Sequence, residues 1–219
     1  MFYEIGAELQ RLLRTDLGSF AMLLLATITF IAISGKMFKK ANLSTKTLVY
    51  AGMALALAFI LSLFRPFSMP LGGSVSPLSM FFVSIVGIWF GPGIGLVAGV
   101  SFGLLRLAAN PSIIHPLQLF LDYPLAFGML GLSGFFSKRR NGLAMGFLVA
   151  ATGRWLMHTI AGYAFWVRVW PPEGWSSYLL FSMAYNGLYI YAEVAITLII
   201  VAFPSVRKAL DVLRRQTTS

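Results

Sequence analysis

Between residues 17 and 203 the chain is a succession of apolar runs, each about as long as a bilayer's hydrocarbon core is thick. Short segments carrying glycine, proline or charge divide them. The runs read as spans over Leu17 to Ile33, Lys46 to Phe64, Pro77 to Phe90, Gly93 to Ala109, His115 to Phe136, Gly142 to Val167 and Ser177 to Phe203. Strict alternation of apolar and polar positions, the mark of a barrel strand, is absent. Backbone groups left unpaired in hydrocarbon are costly, so the spans are predicted to be helices and the chain an all-α integral membrane protein. Gly91-Pro92-Gly93 leaves room only for a hairpin, which makes the third and fourth spans antiparallel neighbours.

Composition sharpens this picture. The 219 residues are 58% hydrophobic and only 11% charged, against about a quarter charged in soluble domains. There is no cysteine, which excludes disulfides, thiolate metal sites and cysteine nucleophiles. The formal charge of +10 points by itself to nucleic acid, but its distribution points elsewhere. Most of the basic residues fall in three segments: Lys36, Lys39, Lys40 and Lys46; Lys138, Arg139 and Arg140; and Arg207, Lys208, Arg214 and Arg215. With seven spans all three lie on one face, and the positive-inside rule makes that face cytoplasmic. A multi-pass protein of a prokaryotic plasma membrane is expected, N-terminus outside and C-terminus inside, with the bilayer and no nucleic acid as its surroundings. Glu4, Glu8 and Asp16 precede the first run beside Arg11 and Arg14, which suits a retained helix better than a signal peptide. The chain divides into an N-terminal amphipathic segment and extra helix (1–45), a six-helix membrane domain (46–204) and a basic cytoplasmic tail (205–219).

Ionisable groups inside spans are expensive and by default face a cavity or a partner. The last three spans hold four: Asp122, Arg154, His158 and Glu193. Counted inward from the outer ends at a helical rise, Asp122, His158 and Asn186 share a depth of roughly 10 to 14 Å. Arg154, His158, Gly162 and Trp166 follow one stripe of the sixth span, Tyr178, Ser182, Asn186, Tyr189 and Glu193 one stripe of the seventh, and Gln118, Asp122 and Tyr123 come from the fifth. An acid, an imidazole, a carboxamide and several aromatics suit a small flat cationic heterocycle: Asp122 offsets its charge, Trp166 and His158 offer π-faces, and Asn186 reads a donor and acceptor edge. Plainer readings stand beside this one. Asp122 and Arg154 would pair to tie helices, Trp166 would be a belt residue, Arg106 would snorkel, and Glu193, lying deeper, would bridge helices.

The residues that carry this pocket also carry a resemblance. Met69-Pro70-Leu71-Gly72-Gly73-Ser74-Val75-Ser76, the run from His115-Pro116-Leu117-Gln118 to Leu121-Asp122-Tyr123-Pro124, the run from His158-Thr159 to Phe165-Trp166, and Tyr185-Asn186-Gly187 are similar to the thiamine-specific substrate-binding (S) component of energy-coupling factor (ECF) transporters. The similarity runs from about Lys46 to Phe203. It implies a six-helix bundle, with Leu17 to Ile33 as one extra N-terminal transmembrane helix. It also implies capture of thiamine from outside, with a transmembrane coupling subunit and two ATPases as partners and no catalysis or cofactor in this chain. By position, the family's acidic ligand residue matches Asp122 and the tyrosine after it Tyr123. The histidine and tryptophan of its aromatic sandwich match His158 and Trp166, and its asparagine matches Asn186. Gln118 and Ser182 complete the expected ligand contacts. The acid is one methylene shorter than the usual glutamate, Phe181 stands where a tyrosine is usual, and a first-loop tryptophan has no match at Gly72-Gly73.

Ala54 and Ala58, four apart in the first core helix, are expected to form a small-residue face on which the coupling subunit docks, or else a contact within the chain. Two other classes are weighed: an S component for another vitamin or nucleobase-like compound, and an intramembrane hydrolase using Ser182, His158 and Asp122. No Gly-x-Ser-x-Gly or His-Glu-x-x-His motif supports the hydrolase.

Overall fold

The computed structural model describes residues 44–218. The expected extra helix, Leu17 to Ile33, and the amphipathic segment before it lie outside the described residues.

Helix α1 (Thr45–Leu63) opens on Ser44, whose hydroxyl accepts from the Thr47 amide. It ends ahead of Arg65-Pro66, where the residue before proline disfavours helix. A small antiparallel hairpin follows, β1 (Phe67–Ser68) with β2 (Ser74–Val75). Helix α2 (Ser79–Phe90) turns at Gly91, φ 91°, directly into α3 (Pro92–Ala109), the expected antiparallel hairpin. Helix α4 (Pro116–Phe136) is capped by His115 Nδ1 accepting from the Leu117 amide and widens into a π-turn over Leu121–Leu125. Helix α5 spans 142–169 and likewise contains a π-turn, Gly162–Trp166. Helix α6 (Tyr178–Ala202) completes a six-helix bundle, and α7 (Pro204–Thr218) is a basic helix whose Arg214 Nη2 donates to the Ser137 carbonyl at 2.6 Å. Among the described residues α1, α3, α4 and α6 are each long and apolar enough to cross a membrane.

Helix α2 is shorter than the apolar run from Pro77 to Phe90 suggests. Twelve residues rise about 18 Å, well short of a hydrocarbon core. Non-helical backbone at residues 74–78 makes up the distance, with Leu78 at φ 68°. Such backbone is tolerated at membrane depth only where protein groups satisfy it. Here α6 does so: Glu193 accepts from the Ser76 and Met80 amides at 3.3 and 3.0 Å, and Thr197 Oγ1 accepts from the Leu78 amide at 3.3 Å.

Glycines bring α3 and α4 into backbone contact. A Cβ on Gly99 would lie 2.2 Å from the Phe127 carbonyl oxygen, and one on Gly103 would lie 2.4 Å from that of Tyr123. This close packing presses the π-turn that carries Asp122 against α3.

The docking role expected for Ala54 and Ala58 is corrected. Both side chains are buried, at 5% and 0% exposure, on the face of α1 that packs into the bundle with Thr47 and Ser62. The small residues that α1 turns outward are Gly52 and Ala56, beside exposed Met53, Leu57 and Ile60.

Candidate ligand-binding site

A cavity of about 180 Å³ opens within the bundle, lined by α4, α5 and α6 on one wall and by residues of α1, α3 and the β1–β2 hairpin on the other. The expected contacts Gln118, Asp122, Tyr123, His158, Trp166, Ser182 and Asn186 all line it.

Asp122 is the centre of the polar layer. The π-turn places it on the cavity wall at 8% exposure, and three donors from two helices converge on its carboxylate. Oδ2 accepts from Gln118 Nε2 at 2.7 Å and from the Trp166 indole N–H at 2.8 Å, while Oδ1 lies 2.8 Å from His158 Nδ1. The second π-turn brings Trp166 to this carboxylate, so Trp166 is not a belt residue; its ring stacks on Trp170, centroids 5.3 Å apart.

The partners of His158 set its tautomer. Arg154 Nε donates to His158 Nε2 at 3.3 Å, and a guanidinium only donates, so Nε2 accepts and the ring proton sits on Nδ1, directed at Asp122. The suggested pairing of Arg154 with Asp122 is therefore corrected. Arg154 is held by His158 and by the face of Phe127, 4.4 Å from its guanidinium carbon.

Asn186 and Ser182 lock α6 to α5. Asn186 Nδ2 donates to the His158 and Ser182 carbonyls, and Oδ1 accepts from the Tyr189 hydroxyl at 2.9 Å. Ser182 Oγ donates to the Thr159 carbonyl at 2.9 Å. Gly162 makes this approach possible, because a Cβ there would stand 2.1 Å from Ser182 Oγ. The hydrolase constellation is not assembled: His158 Nδ1 does meet Asp122, but its Nε2 is taken by Arg154 and Ser182 Oγ donates to the backbone instead of to the imidazole. Gln118 is equally committed, donating to Asp122 and the Ser112 carbonyl and accepting from the Ile114 amide, so it positions the acid. Tyr123 ties its hydroxyl to the Asn110 carbonyl and the Ser112 amide.

Along the α6 stripe, Tyr178 departs from expectation: it is 45% exposed and does not line the cavity. Glu193 lies outside the lining and bridges α6 to the start of α2, as its depth suggested. Tyr185 lines the cavity beside the β1–β2 hairpin, where its hydroxyl accepts from the Gly73 amide at 2.9 Å and donates to the Pro70 carbonyl. Arg106 does not simply snorkel. It faces the cavity with Arg65, and both donate to Ser62 at the end of α1. Arg65, Phe127 and Trp170 are lining residues that sequence reasoning did not select. Each lies near a helix end or on an apolar face, where nothing in the pattern sets it apart.

Comparison with known proteins agrees with this architecture. The thiamine transporter ThiT of Bacillus subtilis is 31% identical over 147 residues, 61% of this chain and 75% of the relative. The ThiT of Lacticaseibacillus paracasei is 29% identical over 120 residues, 49% of this chain and 59% of the relative. A solved structure of ThiT from Listeria monocytogenes superposes with a TM-score of 0.63 at 26% identity, covering 71% of this chain and 90% of that one. The family model described as thiamine transporter protein matches residues 48–211, and with that match over most of its length the chain belongs to the thiamine transporter family.

Proposed function

We propose that this chain captures thiamine from the outer side of a prokaryotic plasma membrane, as the substrate-binding S component of an ECF importer. The observation that carries the reading is the Asp122 carboxylate, held on the cavity wall between His158 and Trp166. A fixed carboxylate flanked by two aromatic systems suits a flat cation-bearing heterocycle.

The orientation follows from charge. Lys138, Arg139 and Arg140 lie between α4 and α5, close to the basic helix α7 through the Arg214–Ser137 contact; this is the end expected in the cytoplasm. The cavity lining includes the β1–β2 hairpin and Asn110, away from those basic segments, which supports a site facing the outer side.

Energy for uptake would come from partner subunits, a transmembrane coupling subunit and two ATPases. The outward small face of α1 at Gly52 and Ala56 suits the close approach of a partner helix. Calorimetry of the detergent-purified chain tests the ligand: saturable heat is expected with thiamine without metal or nucleotide, and heat with riboflavin or biotin but none with thiamine overturns the assignment. In the same preparations Ala56→Trp is expected to keep thiamine binding and lose co-purification with the coupling subunit. Normal assembly of that variant removes the face from the docking surface.

A further inference from the structure

The α1–α3 wall of the cavity carries charge that the proposed thiamine site does not use. Arg65 Nε donates to the Ser62 carbonyl at 3.3 Å, and Arg106 Nη1 donates to the same carbonyl at 3.3 Å and to Ser62 Oγ at 3.1 Å. Two guanidinium groups thus converge on one residue that is itself 2% exposed. Each guanidinium has five N–H donors in a planar fork, and these contacts engage one nitrogen of each. Among the described residues neither has a carboxylate within ion-pair reach. The two buried carboxylates are committed elsewhere, Asp122 to Gln118, His158 and Trp166 and Glu193 to the start of α2.

The cavity lining therefore holds Arg65, Arg106 and Arg154 against the single carboxylate of Asp122, with His158 neutral. Partly buried like charges without a counter-ion are costly in a membrane bundle. A cationic heterocycle alone would add to that excess. A ligand carrying its own anion would offset it, and paired arginine forks match the oxygens of a phosphate.

We propose that Arg65 and Arg106 form an anion subsite for a phosphate ester on the ligand's alcohol arm, so that the chain prefers the phosphomonoester of its heterocycle to the free alcohol. The inference rests on the thiamine reading and names the substrate class within it. Ser62, which both arginines grip, is a positioning residue.

The test is a titration of the purified chain by tryptophan fluorescence, since Trp166 and Trp170 line the cavity. Thiamine and thiamine monophosphate are compared in the wild type and in Arg65→Gln, Arg106→Gln and Arg106→Lys. The wild type is expected to bind the monophosphate about tenfold or more tightly than thiamine, the effect of charge-assisted contacts. In each Gln variant that ratio is expected to fall towards one, with Arg106→Lys in between. Equal affinities in the wild type, or a preference for thiamine, overturn the inference while leaving the thiamine reading intact. A ratio that survives both Gln variants, with both ligands weakened alike, overturns it too and leaves the arginines as structural ties to Ser62. If neither ligand binds the wild type, the thiamine reading has failed and the subsite falls with it.

Discussion

Asp122 and Glu193 are both carboxylates buried in a bundle meant for lipid, at 8% and 1% exposure, and each collects several hydrogen bonds. Their donors differ. Asp122 is held by side chains, Gln118, His158 and Trp166, and looks onto the cavity. Glu193 is held by the Ser76 and Met80 amides together with the hydroxyls of Ser76 and Ser79, and is shut off from the cavity. Side-chain donors can readjust to a bound molecule without moving the chain. Backbone amides of a non-helical segment have no substitute partner in hydrocarbon, so the acid that satisfies them belongs to the fold. The same residue chemistry serves recognition in one place and architecture in the other, and the identity of its donors separates the two.

The contrast is sharpest when each acid is removed. Glu193→Ala leaves the Ser76 and Met80 amides without their acceptor and the Ser76 and Ser79 hydroxyls with only each other, and at about 1 to 3 kcal/mol for each buried amide it is expected to cost roughly 3 kcal/mol or more of stability. A thermal melt of the solubilised protein reads this directly, and an unchanged Tm would break the comparison. Asp122→Asn keeps the shape and removes the charge: thiamine affinity is expected to fall by about 1.5 to 3 kcal/mol, roughly ten- to 150-fold, with a smaller loss of Tm than in Glu193→Ala, because only one of the three donors on Asp122 then faces the new NH2. Unaltered affinity in that variant takes Asp122 out of the ligand's contacts. The smallest effect is expected from Thr197→Val, which deprives the Leu78 amide of its acceptor. It should lower stability by about 1 kcal/mol and leave the thiamine Kd unchanged; a change in Kd would tie the α2 approach to the site.

Much of this was legible in the sequence because lipid makes polar residues conspicuous. Asp122, His158 and Asn186 stand out from apolar runs at matching depth, Trp166 continues the His158 stripe towards the outer end, and the fold brings all four within hydrogen-bonding reach of one another or of a shared partner. Helix faces were harder to read where a helix is apolar all round. On α1 small residues occur at Ala51, Gly52, Ala54, Ala56 and Ala58, so spacing offers two candidate faces and only packing distinguishes them. The start of α2 was hidden for a related reason: Pro77-Leu78 continues an apolar run although its backbone is not helical. Arg65 and Arg106 escaped because basic residues near helix ends ordinarily reach water, and hydropathy does not record which way they turn.

The two π-turns, Leu121–Leu125 on α4 and Gly162–Trp166 on α5, lie at the level of the cavity and carry Asp122 and Trp166. Each accommodates one residue more than an α-helical turn would, so it takes up that residue while the helix on either side keeps its face. Removing a residue there would let the turn close to an ordinary α-helical one, whereas the same deletion in a regular stretch of helix would turn everything beyond it by about 100°. Single-residue deletions in these turns are therefore a separate axis of variation: they re-aim the side chains that the turn itself carries, Asp122 or Trp166, while both flanks of the helix keep their packing.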